Sequence, residues 1–240
     1  MSGHSKWSTI KRQKGANDAK RGQLFSKLAR SITIAAKQGG SDPVSNLPLR
    51  LAIDQAKSAN MPKSNIDRAL QSAQDKLAGN LEEITYEGFG PFGVSVMVET
   101  ATDNKNRTAQ EIKKLFGLGG GSLGGKGSVS FQFEQKGLIV VEKGTDVEKT
   151  ILSLIDLGTP DLEETDDGIE VYTSPHELAG WRERIEKGGF QIQSANLVFK
   201  PKAFIDVADQ GKAKKVLSFL EGLDNHDDVQ RVYANFNITS

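Results

Sequence analysis

Apolar residues recur at helical spacing through residues 20–79 of the chain. In the first predicted helix, from about Gln23 to Gly39, the apolar stripe consists of Leu24, Phe25, Leu28, Ile32 and Ala35. A second helix is predicted from about Leu47 to Asn60, and a third from Ser64, as its N-cap, to Gly79. The pattern predicts a small three-helix domain over residues 1–79.

After Gly79 the apolar residues alternate, as they do in half-buried strands. The alternation predicts two strands, one at Ile84–Tyr86 and one at Val94–Val98, and a third strand at Val129–Phe133. Between them, Thr108 and a glutamate three residues later form a capping box that predicts a helix. This unit lacks one helix and one strand of a closed two-layer sandwich.

Residues 137–199 carry the complete order βαββαβ, which is the ferredoxin-like pattern. The missing helix and strand of the preceding unit come after Pro201, with apolar residues at Ala213–Leu223 and then at Val232–Phe236. We therefore predict an insertion. The expected fold is α+β: an N-terminal three-helix domain (1–79), a split ferredoxin-like α/β sandwich (80–135 plus 202–240), and a third, ferredoxin-like domain (136–201) inserted in the second.

The charges are separated along the chain, although 31 basic and 31 acidic residues give no net charge. Residues 1–40 hold nine Lys or Arg and a single acid, Asp18, whereas residues 142–170 hold ten acids and two lysines. Such a concentration of positive charge indicates a surface that meets a polyanion, with nucleic acid as the first candidate. The acidic part of the inserted domain should repel it.

Composition excludes several other classes of protein. The chain has no cysteine, and its three histidines are far apart in sequence, so we expect no disulfide and no metal site. It has no apolar run long enough for a membrane helix and no signal or transit peptide, so we expect a cytoplasmic protein; a mitochondrial-matrix homologue stays open. Because no nucleophile lies beside a base in a recognisable motif, we expect neither an enzyme nor a cofactor nor a small-molecule substrate.

The candidate nucleic-acid-binding residues lie mainly in the basic N-terminal stretch. Its first part, residues 6–15, has too few apolar residues to bury itself and is expected to be an extended arm. Lysines and arginines there can neutralise phosphates, while Trp7 can stack on a base or pack on the helices. The predicted binding residues are Lys6, Trp7, Lys11, Arg12, Lys14, Lys20, Arg21, Lys27, Arg30, Asn106, Arg107 and Lys126.

The glycine-rich stretch Gly119–Gly127 resembles two nucleotide-binding loops, G-x-G-x-x-G and the P-loop. Both motifs need a strand before the loop and a helix after it, whereas here a helix precedes and a strand follows. Nucleotide binding is therefore not expected. Two interpretations stay open: a flexible loop whose amides and Lys126 touch a nucleic-acid backbone, and a plain mobile connection.

Several motifs in order along the chain resemble the YebC (PmpR) family of transcriptional regulators, which includes a mitochondrial activator of cytochrome oxidase translation. The resemblance covers essentially the whole chain and is carried by Gly3–Trp7, Asp18–Arg21, Gly39–Pro43, Asn60–Pro62, Tyr86–Pro91, Asp103–Thr108, Leu123–Gly124, Gly127–Val129 and Asp227–Gln230. It implies three domains, one helical and two α/β. It also implies one of two functions: DNA-binding regulation of transcription, or a ribosome-associated factor that helps translation through difficult, proline-rich stretches.

Sequence alone favours the second function slightly. Promoter recognition needs a rigid element that brings several side chains to base edges in the major groove, and no segment presents one clearly. Lysines on a loose arm and on one helix suit backbone and shape recognition, which ribosomal RNA offers. We therefore expect a regulator that acts on ribosomes or RNA, with a DNA-binding transcriptional regulator as the alternative.

Overall fold

The computed structural model describes residues 18–74 and 81–238, and it begins with three helices, α1 (Asp18–Gly39), α2 (Leu47–Ser58) and α3 (Lys63–Gln74). Their common core contains Leu28, Ile32, Leu49, Ala56, Met61 and Ile66. The predicted three-helix domain is confirmed, but α1 begins earlier than predicted. Leu24, assigned to the apolar stripe, is 45% exposed.

The turn between α1 and α2 is closed by the buried side chain of Asn46. Its Oδ1 accepts the Leu49 amide at 3.1 Å, which caps α2, while its Nδ2 donates to the carbonyls of Ala35 and Gly40 at 2.7 Å. For α3, the predicted N-cap Ser64 is wrong, since this residue lies inside the first turn. The predicted end of the helix at Gly79 lies outside the described residues.

The second domain is an antiparallel sheet covered on one face by two helices. Its elements are β1 (Glu82–Phe89), β2 (Ser95–Thr102), α4 (Lys105–Leu118), β3 (Ser122–Leu123), α7 (Gln210–Asp224) and β9 (Val229–Ala234), in the strand order β3-β1-β2-β9. A parallel pair, β8 (Ile205–Val207) and β10 (Phe236–Ile238), lies beside them. The core packs Val96 and Val98 against Ile112, Phe116 and Leu220.

Helix α4 begins one turn before the predicted capping box. Asn104 is its N-cap and accepts the Arg107 amide at 3.1 Å. Thr108, the predicted cap, is fully buried inside the helix, where its hydroxyl contacts Thr102 at 2.8 Å and Asp228 at 2.6 Å. The capping-box prediction is wrong because the Thr108 hydroxyl serves a tertiary contact instead.

The third domain has the ferredoxin-like strand order. Its elements are β4 (Phe133–Val141), α5 (Val147–Asp156), β5 (Asp161–Thr165), β6 (Gly168–Thr173), α6 (Leu178–Lys187) and β7 (Ile192–Pro201), in the order β5-β6-β4-β7. The predicted strand at Val129–Phe133 is wrong. Residues 130–132 form a 3₁₀ turn with Phe131 65% exposed, and Phe133 begins β4, which pairs with β7 from Phe133↔Pro201 onward.

The third domain lies in sequence between β3 and β9 of the second sheet, as an insertion requires. The two sheets meet through their faces opposite the helices, where Met97 and Tyr233 pack with Phe133, Tyr172 and Val198. The split second domain was predicted to be ferredoxin-like, but its sheet has a different strand order because the β1–β2 hairpin occupies the middle of the sheet. Of the two α/β domains, the third has the ferredoxin-like order.

The first domain contacts both α/β domains. Leu51 of α2 is buried in the core of the third domain, and Asp54 forms a 2.8 Å ion pair with Arg182 of α6. Helix α1 contacts the second domain beside β9. The three domains therefore share a continuous set of contacts through α1 and α2.

None of the described helices is long and apolar enough to cross a membrane. The 22-residue helix α1 is interrupted by charged side chains along its whole length, including Lys27 and Arg30.

Candidate nucleic-acid interface

The predicted arm lies outside the described residues. This holds for five of the candidate binding residues, namely Lys6, Trp7, Lys11, Arg12 and Lys14. Of the others, Lys20 lies in the first turn of α1, and Arg21 beside it is exposed with its guanidinium 5.7 Å from the centre of the Phe25 ring. The start of α1 therefore continues the basic stretch.

The next two basic residues of α1 face the second domain instead of solvent. Lys27 pairs with Asp224 at 3.7 Å and also donates to the Asp224 carbonyl. Arg30 donates to the Asp228 carboxylate at 2.7 Å, to the Asp227 carbonyl at 2.8 Å and to the Ala101 carbonyl at 3.2 Å. The sequence assigned these two side chains to nucleic-acid binding, whereas in the structure they hold α1 against the second domain beside β9.

Arg107 makes a similar internal contact from the first turn of α4. Its guanidinium is 2.8 Å from the Asp228 carboxylate and 3.0 Å from Asp103. About half of the Arg107 side chain is exposed, so one side remains accessible while the other is bound. The neighbouring candidate Asn106 is exposed.

Asp228 is the centre of this junction, which we call the Asp228 cluster: Arg30, Arg107, Thr108 and Asp228. The carboxylate is 3% exposed and lies where the first and second domains meet. Burial raises the pKa of Asp228, but hydrogen bonds from Thr108, Arg107 and Arg30 outweigh it and lower the pKa to about 2. The carboxylate is therefore charged at neutral pH, and it fixes two arginines that sequence had assigned to nucleic acid.

Among the described residues, one group has the composition of a metal site: Glu111, His226 and Asp228. His226 Nε2 is 2.9 Å from Glu111, and His226 Nδ1 accepts the Asp228 amide at 3.1 Å. Two guanidinium groups already contact the Asp228 carboxylate, and their positive charge opposes a cation at the same place. The arrangement fits an internal ion-pair network better than a metal site.

The glycine-rich stretch is organised by one buried carboxylate. Glu87 of β1 accepts the amides of Gly127, Val129 and Ser130 at 2.8–2.9 Å, and its backbone carbonyl accepts the Gly124 amide at 2.8 Å. Burial raises the pKa of Glu87, but the hydrogen bonds from these amides together outweigh burial, and the net pKa is below the ordinary value.

Within the stretch, the amides of Gly124 and Gly127 are already bound to Glu87 and are therefore not available to a phosphate, which argues against a nucleotide cradle here. Lys126, by contrast, is exposed at its tip.

Sequence reasoning missed a basic surface on the helical face of the second domain. Its lysines are exposed and, within the part of the chain that the structure describes, have no ion-pair partner; they are Lys105, Lys113, Lys114, Lys214 and Lys215. Lys212 lies nearby, with its ammonium 5.5 Å from the centre of the Phe92 ring. The signal was present in the sequence: Lys212, Lys214 and Lys215 lie on the polar side of a helix whose opposite side, including Ala213, is buried.

Comparison with known proteins agrees with this architecture. The family described as "TACO1/YebC protein N-terminal domain" matches residues 5–76, and "TACO1/YebC second and third domain" matches residues 81–236. The chain belongs to the TACO1/YebC family. A probable transcriptional regulatory protein of Desulfotalea psychrophila is 48% identical to it over 99% of this chain and 96% of that protein.

Two further relatives of this TACO1/YebC chain extend the comparison. A probable transcriptional regulatory protein of Geobacter sulfurreducens is 46% identical over 100% of this chain and 97% of that protein. A crystal structure of a conserved hypothetical protein of Aquifex aeolicus superposes with a TM-score of 0.88 at 42% identity, covering 93% of both chains. The family resemblance and the α+β fold predicted from sequence are thereby confirmed.

Proposed function

We propose that this TACO1/YebC protein is a non-enzymatic, nucleic-acid-binding regulator of gene expression that acts in the cytoplasm on ribosomal RNA. Its task would be that of a translation factor that eases difficult, proline-rich stretches. One observation carries the choice of RNA over promoter DNA: α1, which holds most of the basic residues described in the first domain, is covered on two sides. Helices α2 and α3 pack on one side, and Arg30 is bound to Asp228 on another.

This packing limits what α1 can do on a DNA duplex. The major groove is about 12 Å wide and admits one helix, whose exposed side chains then read the base edges. From Lys27 onward, α1 would have to leave the second domain to enter the groove. Shape and backbone recognition requires no such separation, since exposed lysines can meet phosphates from a fixed surface.

The remaining basic groups favour the same interpretation. The arm carries four of them, Lys6, Lys11, Arg12 and Lys14. The other exposed basic residues are spread over two domains: Arg21 in the first, and Lys126 with the lysines of α4 and α7 in the second. Lysine neutralises phosphate as a point charge and carries little base specificity. A broad surface of this kind suits a large structured RNA.

The alternative is a DNA-binding transcriptional regulator that acts at promoters. It is favoured by the names of the relatives, which are described as probable transcriptional regulatory proteins. On this alternative the arm and the exposed Arg21 would track the DNA backbone, and specificity would come from DNA shape.

Crosslinking in growing cells separates the two functions. Wild type and an arm variant, with Lys6, Lys11, Arg12 and Lys14 changed to Gln, are compared in ribosomal and promoter fractions. We expect ribosomal RNA to be enriched with wild type and to be reduced with the arm variant. Enrichment at particular promoters without a ribosomal signal would refute the translational role.

The same arm variant tests the source of affinity in vitro. Because every phosphate bound by a lysine or arginine releases counterions, the slope of log affinity against log salt should become shallower by about 0.7 for each phosphate no longer bound on single-stranded RNA. A matched control replaces four lysines of the third domain and its flanks, Lys143, Lys149, Lys187 and Lys202, with Gln. An arm variant with the wild-type slope would show that the arm binds no phosphates.

A further inference from the structure

A groove of about 820 Å³ opens on the helical face of the second domain, between the end of α4 and the middle of α7. Pro91 and Phe92 form one wall, Leu115 and Leu118 another, and Lys214 and Lys215 stand on the rim. The volume is in the range of ligand sites in proteins. No acidic side chain lies among its lining residues in the part of the chain that the structure describes.

The floor of the groove is a tightly packed aromatic ring. Phe219 is buried and meets Phe116 edge to face, with ring centres 5.2 Å apart. A Cβ at Gly119 would lie 2.1 Å from the Phe219 ring, and one at Gly90 would lie 2.6 Å from it, so both glycines are required for this packing. The floor is therefore closely packed.

Phe92 is held in an unfavourable backbone conformation at the edge of the groove. Its φ of 62° is in the left-handed region, where a bulky residue is strained, and its side chain is 46% exposed. Strained backbone positions of this kind cluster at active sites and ligand-binding sites. The ammonium of Lys212 lies over the Phe92 ring, 5.5 Å from its centre, which is within the distance of a cation–π interaction.

We propose that this groove binds unpaired bases of a single-stranded nucleic acid, with Phe92 as the stacking surface and Lys212, Lys214 and Lys215 as contacts to the flanking phosphates. An aromatic ring beside a row of cations is the arrangement by which proteins bind single strands. Because the rim carries lysines and no acids, it favours a polyanion over a neutral ligand. The inference deepens the proposed function and rests on it.

Three full-length variants test the groove without disturbing its floor. Phe92→Gly removes the ring and relieves the positive φ, so the folded protein should be at least as stable as wild type. Gly222→Leu fills the groove from α7, where an added Cβ meets no atom within 4 Å. Lys214→Gln/Lys215→Gln removes two cations. The matched controls are Phe131→Ala, at an exposed aromatic outside the groove, and Lys149→Gln/Lys187→Gln on the third domain.

Binding is measured by fluorescence anisotropy with a short mixed-sequence RNA, the same sequence as single-stranded DNA, and the RNA annealed to its complement. Phe92→Gly and Gly222→Leu should weaken binding to both single strands about tenfold, the effect of removing one stacked base, and leave the duplex nearly unchanged. Lys214→Gln/Lys215→Gln should make the single-strand salt slope shallower by about 1.4. Circular dichroism establishes that each variant is folded.

Failure of the groove and failure of the proposed function give different results. If wild type binds the strands and the groove variants bind like the controls, the groove inference alone is overturned. Equal weakening on single strand and duplex would also overturn it, because stacking needs an unpaired base. If wild type binds none of the three probes, the nucleic-acid function fails and the groove inference fails with it.

Discussion

Arg30 of α1 and Asp228, in the loop before β9, form a 2.7 Å ion pair across the boundary between the first and second domains. The two residues are 198 positions apart in sequence, and the carboxylate is almost completely buried. A basic residue assigned to nucleic acid from its sequence neighbourhood is thus part of the molecule's own structure. The contact fixes α1 to the last part of the chain and determines which side of α1 solvent can reach.

Loss of this pair should loosen the domain boundary. Arg30→Gln leaves Asp228 with Arg107 and Thr108 but removes one charged partner of a buried carboxylate, so we expect a loss of about 2 kcal/mol in unfolding free energy. Amide exchange should accelerate at Ala101, whose N–H donates to the Asp228 carbonyl at 2.8 Å. Calorimetry and exchange measure both effects. Arg21→Gln, at an exposed position on the same helix, is the control and should change stability by less than about 0.5 kcal/mol.

Asp228 should also give the protein a defined acid sensitivity. Its pKa in the folded protein is about 2, below the ordinary 3.8, so the folded state binds fewer protons than the unfolded state between these values. The stabilisation is therefore complete above about pH 4 and is lost as the pH falls toward 2. Asp228→Asn should be less stable than wild type at neutral pH, and the difference should shrink through that window.

Urea unfolding over a pH series measures this dependence. The exposed neighbour Asp227→Asn, which removes one carboxylate next to Asp228 without touching the buried one, serves as the control. A difference for Asp228→Asn that did not change with pH would contradict the role assigned to this carboxylate.

Glu87→Gln should release the glycine-rich stretch. A neutral amide oxygen replaces a carboxylate that accepts the amides of Gly127, Val129 and Ser130, so at least one buried donor loses its partner. We expect a loss of about 2 kcal/mol in stability and faster exchange at these three amides. The exposed Glu82→Gln on the same strand is the control. Unchanged exchange at residues 127–130 would show that the loop is held by other contacts.

The domain limits give a fourth prediction. Residues 133–201 contain every strand of the ferredoxin-like sheet and both of its helices, so this fragment should fold alone. Residues 81–130 lack β9 and α7, which supply a strand and half the helical layer, so this fragment should not fold without residues 205–238. Circular dichroism with thermal melting tests both. A cooperative transition in the 81–130 fragment would contradict the split-domain interpretation.

Local patterns in the sequence were sufficient for most elements of secondary structure. The apolar residues of α7 and β9 recur at helical and strand spacing, and the two-residue turn Asp166-Asp167 joins β5 to β6 directly before Gly168. The sequence also showed that the second domain is interrupted, because residues 80–135 lack one helix and one strand of a two-layer sandwich and the missing elements follow Pro201. These features depend on neighbours a few residues apart, which sequence displays directly.

Tertiary structure alone decided the partners of the polar side chains. Thr108 has the spacing of a helix cap but contacts Asp228, and β4 begins at Phe133 as part of the third domain's sheet, because both depend on residues far along the chain. A basic residue has the same local signature whether it faces a phosphate or a buried carboxylate. Sequence determined how many charges the first domain carries, whereas the packing of α1 on β9 determined which of them remain for a ligand.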